Sequence, residues 1–216
     1  MTPSLLIITG WAHSEQSVQP LADALSSTCD VQIWTGARVL RERTVPETDF
    51  IVTGSMGGLL AMELLPASCR KLVLLSSTAK FCAGEEYRCG TPEKVVRRMM
   101  VQMKKNPEAV LAEFYRNVHH PHPAVDTDPG CPPEELIAGL DYLRTSDVRA
   151  NVPNIGIPAL LLHGTADRII PPAAAEWLHA QLPDSRLKLY PNGSHALPAH
   201  RFTEVINEIT IFLELH

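Results

Sequence analysis

Apolar residues along this chain alternate between two patterns. Short unbroken runs at 4–8, 31–34, 50–52, 71–76, 158–163 and 186–190 are rich in Leu, Ile and Val and have the length of buried strands. Between them apolar residues recur at helical spacing. Val18, Leu21, Ala22 and Leu25 form one such face, Leu and Met over 56–65 a second, and residues 172–182 a third; Phe202, Val205, Ile206, Ile209 and Phe212 close the chain. The link 35–48 is polar and barely long enough to cross between parallel strands, so no full helix is expected there. Alternation of this kind predicts an α/β fold with a doubly wound, mainly parallel sheet of about six strands. Sites in such sheets lie at the C-terminal ends of the strands.

The texture changes after Lys80. Pro92 opens a helix to about 104, with Val95, Val96, Met99, Met100 and Met103 apolar; Pro107 opens another, carrying Val110, Leu111, Phe114 and Tyr115; residues 134–144 form a third. The loop 119–133 is rich in Pro and His, and no strand pattern interrupts the block. The expected organisation is a core over 1–80 and 151–216, with a helical lid inserted at 81–150 above the strand ends.

Composition narrows the class. The 216 residues carry a net charge of −5, which argues against nucleic acid or an anionic membrane as partner of the surface as a whole. No segment has the apolar length of a membrane span or the pattern of a signal peptide. Five cysteines without framework spacing read as free thiols in a reducing compartment. A cytoplasmic monomer is expected.

The chemistry gathers at Thr53-Gly54-Ser55-Met56-Gly57-Gly58, where a strand turns sharply into a helix. Glycines there relieve crowding and lift the Ser55 hydroxyl above the sheet at a positive helix end, as in a nucleophile elbow. A glycine-rich turn that packs tightly or binds phosphate is the other reading. A P-loop fits poorly, because no Lys-Ser/Thr pair follows the glycines. A serine nucleophile needs a base and the base an orienting partner. Asp167 follows the 158–163 strand and His195 follows the last strand, giving the chain order Ser55, Asp167, His195. Singly, each is a turn-forming Asp or a surface His; jointly they occupy three appropriate strand ends. Rivals fit less well. No carboxylate lies between Ser76 and Lys80, Asp184 precedes the last strand, His163 is still within its strand, and His200 begins the last helix.

An oxyanion hole needs two amides, expected from Met56 and from Trp11 in the loop after the first strand. The Trp11 indole could wall an apolar acyl pocket, and His13 either lines that pocket or packs structurally. Cys82, Cys89, Cys131, His119, His120 and His122 invite a zinc reading, but their spacing matches no standard site. No metal and no organic cofactor are expected. Lys94, Arg97, Arg98, Lys104 and Lys105 make the first inserted helix basic, either as a solvated face or as a docking patch for an acidic partner.

Over nearly its whole length the chain resembles the α/β-hydrolase superfamily, and within it the pimeloyl-[acyl-carrier-protein] methyl ester esterases of biotin synthesis. Gly10-Trp11-Ala12, the elbow and the segment from Gly139 to Arg149 carry the likeness. The resemblance implies Ser55 as nucleophile, His195 as base, Asp167 as its partner, and Trp11 and Met56 as oxyanion amides. Substrate contacts are expected at Trp11, His13, Gly54 and Tyr142. The resemblance also implies a small acyl ester substrate on acidic acyl carrier protein, docked on Arg97, Arg98, Arg144 and Arg149. Thr53 replaces the family's glycine, and Gly54 stands where a bulky aromatic is common, which widens the expected pocket. A short-chain carboxylesterase or thioesterase is the alternative activity, and a non-catalytic small-molecule receptor the alternative class.

Overall fold

The computed structural model describes residues 2–125 and 127–215. Its six strands are β1 (Ser4–Ile8), β2 (Asp30–Trp34), β3 (Phe50–Gly54), β4 (Lys71–Leu75), β5 (Ala159–Gly164) and β6 (Ser185–Tyr190). They form one all-parallel sheet in the order β2-β1-β3-β4-β5-β6. The central strands β1, β3, β4 and β5 are buried along nearly their whole length, which is why they read as unbroken apolar runs. From β1 the chain steps first to one side and then to the other. The switch point therefore lies between β1 and β3, where a doubly wound sheet opens its crevice.

Helices cover both faces. On one face α1 (Gln19–Leu25) and α9 (Phe202–Leu213) pack Leu21, Leu25, Val205 and Ile209 against Leu5, Ile7, Phe50, Val52 and Val73. On the other, α2 (Gly36–Glu42), α3 (Met56–Glu63) and α7 (Pro172–Gln181) cover Leu6, Ile8, Ile51 and Leu72. The helix α2 corrects the expectation that the 35–48 link has no room for one. Two turns suffice, because Thr35 caps it by accepting from the Arg38 N–H at 3.1 Å and Arg43 ends it in a left-handed conformation.

Between β4 and β5 stand α4 (Glu93–Met103), α5 (Pro107–His119) and α6 (Pro133–Thr145). Val96, Met103, Phe114, Val118, Leu136 and Leu140 join their buried faces to the α3 side of the core. His200 ends the short helix α8 (Leu197–His200) rather than beginning α9. No helix of the described residues is long and apolar enough to cross a membrane.

Candidate active site

The chain leaves β3 at Gly54 and enters α3 through Ser55, whose backbone sits at φ 52°, ψ −118°. Such a conformation costs a non-glycine residue about 1–3 kcal/mol and persists only where its surroundings impose it. Here the Ser55 N–H donates to the Leu75 carbonyl and the Gly58 N–H to the Ser55 carbonyl, both at 2.9 Å. Positions 57 and 58, just past Met56, have no room for a Cβ. A Cβ on Gly57 would stand 2.6 Å from the Ile8 carbonyl oxygen, and one on Gly58 would collide with the Ser77 hydroxyl. Thr53 is buried, its hydroxyl donating to the Val73 carbonyl at 3.3 Å. The Met56 N–H opens α3 and has no partner within the helix, at the helix's positive end.

The loop after β1 arrives at the same place, since a Cβ on Gly10 would lie 3.1 Å from that of Ser55. The Trp11 backbone therefore stays beside the elbow while its indole turns away. Nε1 donates to the Leu136 carbonyl at 2.8 Å, and the ring meets Phe114 edge-on at 4.7 Å. The indole does not line the cavity above Ser55, because α6 offers a buried carbonyl and Gly139 leaves room for the ring. Tyr142 does not reach that cavity either; its hydroxyl donates to Glu63 at 2.8 Å.

The loops after β5 and β6 interlock. The Thr165 N–H donates to the Tyr190 carbonyl and the Ala166 N–H to the Gly193 carbonyl, each at 2.9 Å. A Cβ on Gly164 would collide with that same Gly193 carbonyl, so the two loops touch backbone to backbone. This contact sets Asp167 against His195, with Asp167 Oδ2 accepting from His195 Nδ1 at 2.7 Å. Asp167 Oδ1 accepts from the amides of Ile169 (2.7 Å) and Ile170 (2.9 Å). Both side chains are buried. Burial by itself raises the Asp167 pKa, but the positive charge that His195 carries whenever it is protonated, and hydrogen bonds from His163 and His195, outweigh it and hold the carboxyl well below the usual range. An ionised carboxylate can only accept, so the His195 proton sits on Nδ1 and Nε2 is left as an acceptor.

His163 belongs to this group although its strand position pointed elsewhere. Its Nε2 lies 2.9 Å from the Ile170 carbonyl and 3.2 Å from Asp167 Oδ2, the same carboxylate oxygen that His195 engages. An i,i+4 pair across a strand end was the available signal. The His195 loop is itself anchored, by the Ser76 hydroxyl donating to the His195 carbonyl (2.8 Å) and the Ala196 N–H donating to the Val118 carbonyl of α5 (3.2 Å).

Ser55, His195, Gly54, His13 and His119 line one cavity of about 470 Å³. Among the described residues no hydrogen bond yet joins the side chains of Ser55 and His195; such contacts commonly tighten once substrate is bound. His13 donates from Nδ1 to the Trp11 carbonyl at 2.8 Å, and burial, before the nearby His195 and His119, lowers its pKa to about 4. Burial also lowers His119 to about 4; its Nδ1 lies 2.9 Å from His200 Nε2, and His122 stacks on His200 at 4.2 Å. Among the described residues no group of three or more His, Cys, Asp or Glu could hold a metal ion.

Three of the four arginines expected at a partner surface are held within the chain. Arg97 pairs with Glu93 at 2.8 Å, Arg144 with Asp141 at 2.7 Å and Glu93 at 3.2 Å, and Arg149 with Asp147 at 2.8 Å. Arg98 is exposed on α4.

The hydrolase family model described as "Serine aminopeptidase, S33" matches residues 29–200. The chain belongs to this family. This S33-family α/β-hydrolase is 32% identical over 168 residues to the pimeloyl-[acyl-carrier protein] methyl ester esterase of Nitrosospira multiformis, covering 68% of this chain but only 62% of that one. It is 29% identical over 228 residues to the esterase of the same name from Aromatoleum aromaticum, covering 90% and 91%. The solved esterase EaEST of Exiguobacterium antarcticum shares the fold at a TM-score of 0.81 and 17% identity, over 99% of this chain and 93% of that one.

Proposed function

We propose that this hydrolase is a serine carboxylic ester hydrolase that demethylates pimeloyl-acyl carrier protein methyl ester. The observation that carries the hydrolytic part is the buried Asp167–His195 pair at 2.7 Å, facing the cavity that the strained Ser55 also lines. The pimeloyl substrate is supported by the names of the relatives.

Ser55 attacks the ester carbonyl as His195 Nε2 takes its proton, and Asp167 keeps the imidazole in the required tautomer and stabilises the imidazolium. The Met56 and Trp11 amides hold the developing oxyanion. Methanol leaves with the proton from His195, and a water activated by the same nitrogen releases the acid. For the carrier protein, an acidic partner, α4 and the turn after it offer exposed Lys94, Arg98, Lys104 and Lys105 beside exposed Val95 and Val101. The intramolecular pairs of Arg97, Arg144 and Arg149 leave those three less available.

Ser55→Ala tests the hydrolase reading. It should abolish turnover of p-nitrophenyl butyrate and labelling by a fluorophosphonate while the circular dichroism spectrum is kept; an active variant refutes the assignment. Growth without biotin, restored by this gene in a strain lacking its own pimeloyl ester esterase, tests the substrate.

A further inference from the structure

Side chains two apart in a strand point to the same face, so position 54 projects with Phe50 and Val52 toward the layer formed by α1 and α9. Its neighbours fill their places there: Ile7 on β1, Leu75 paired with Gly54 in register on β4, and Leu21 on α1 are all buried. Position 54 supplies no side chain to this layer. A Cβ built on Gly54 meets no atom within 4 Å. The space joins the cavity of about 470 Å³, which runs from Ser55 and His195 past Gly54, between Val18 and Leu21 on one wall and Pro198 and Phe202 on the other. Among the described lining residues there is no Arg or Lys, and Asp128 adds a carboxylate.

We propose that Gly54 is a specificity-determining residue: its missing side chain opens a slot between α1 and α8–α9 that takes an uncharged, unbranched apolar arm of the substrate ester. The inference rests on the hydrolase reading of Ser55 and adds the chemistry of what it cleaves. At about 30 Å³ per water-sized group, the cavity holds roughly fifteen such groups, enough for a medium-length chain beside the ester. Each methylene drawn from water into it should raise kcat/KM about fourfold. A distal carboxylate would meet no counter-charge and is disfavoured.

The test compares wild type, Gly54→Phe and, from the facing wall, Val18→Trp. Substrates are p-nitrophenyl acetate, butyrate and hexanoate, for the acyl arm, and methyl, butyl and hexyl acetates, for the alcohol arm. Calorimetric binding of butanol and hexanol adds a readout independent of turnover. The wild type should show the chain-length slope in one series, and that series tells which arm enters. Either substitution should lower the long-to-short ratio by at least about tenfold and weaken hexanol binding. Dimethyl adipate should be preferred to monomethyl adipate. A slope unchanged in both variants overturns the proposal, as does a wild type with neither slope nor chain-dependent alkanol binding; preference for the monomethyl ester overturns its uncharged character. A wild type without turnover, whose hexanol binding still depends on Gly54, overturns the hydrolase reading and leaves the slot standing.

Discussion

The two sides of Ser55 use glycine for opposite ends. Toward α3 and the loop after β1 the backbone is packed so closely that Gly57 and Gly58 have carbonyl and hydroxyl oxygens where a Cβ would go. The same closeness recurs where Gly164 meets Gly193 and brings Asp167 to His195. Toward α1 and α9, Gly54 faces a void. The crowded side holds strain, charge and orientation, all of which demand fixed distances. The open side carries no Arg or Lys among its described lining residues, only the Asp128 carboxylate, and its His13 and His119 are kept neutral at pH 7. Fixed backbone and empty space are thus separated by a single residue.

The sharpest attack on the crowded side is Asp167→Asn. The carboxamide keeps the size but lets the wrong His195 tautomer form, and kcat should fall by about 10⁴ with little change in KM. A fall below tenfold would show that the buried pair does not set the base.

Next in size, Gly57→Ala forces a methyl to 2.6 Å from the Ile8 carbonyl oxygen and should destabilise the protein by about 1–3 kcal/mol, read from its urea midpoint. Gly54→Ala, entering open space, should move that midpoint by less than about 0.5 kcal/mol. Equal effects would erase the contrast between the two sides.

The open side should declare itself through pH. His13 and His119 titrate near 4 when folded and near 6.5 when unfolded, so between those values the unfolded chain binds more protons. Their stabilising contribution is present above pH 6.5 and lost as pH falls toward 4, at most about 2 kcal/mol for His13 by pH 5 and less for His119, which lies nearer the surface and is better screened by solvent. Urea midpoints at pH 7 and pH 5 measure this, and His119→Gln should remove part of the difference. The smallest effect is expected outside both sides. Arg97→Ala, which breaks an exposed pair with Glu93, should change stability by at most about 0.5 kcal/mol.

Strands and elbow were legible because burial on both faces writes β1, β3, β4 and β5 as apolar runs, and because crowding leaves its glycines in the sequence. Asp167 and His195 were legible from their places after two strands. Side-chain direction was not. The same Trp11 can serve the site with its amide while its indole is claimed by the Leu136 carbonyl, and no periodicity encodes that choice. Tyr142 and Arg144 were drawn to carboxylates 79 and 3 residues away, on Glu63 and Asp141. His163 looked like a strand residue because it is one; its second role appears only when the chain turns back at Asp167. The helix α2 was hidden by its length, two polar turns that gain their footing from Val39 in the core and from a threonine cap.

The hydrogen bond from the Ala196 amide to the Val118 carbonyl spans the junction between the sheet and the inserted helices. It ties the residue after the imidazole to the backbone of α5, so the inserted block shares in fixing where the base stands. A change in how α5 is seated is therefore felt one peptide unit from the ring.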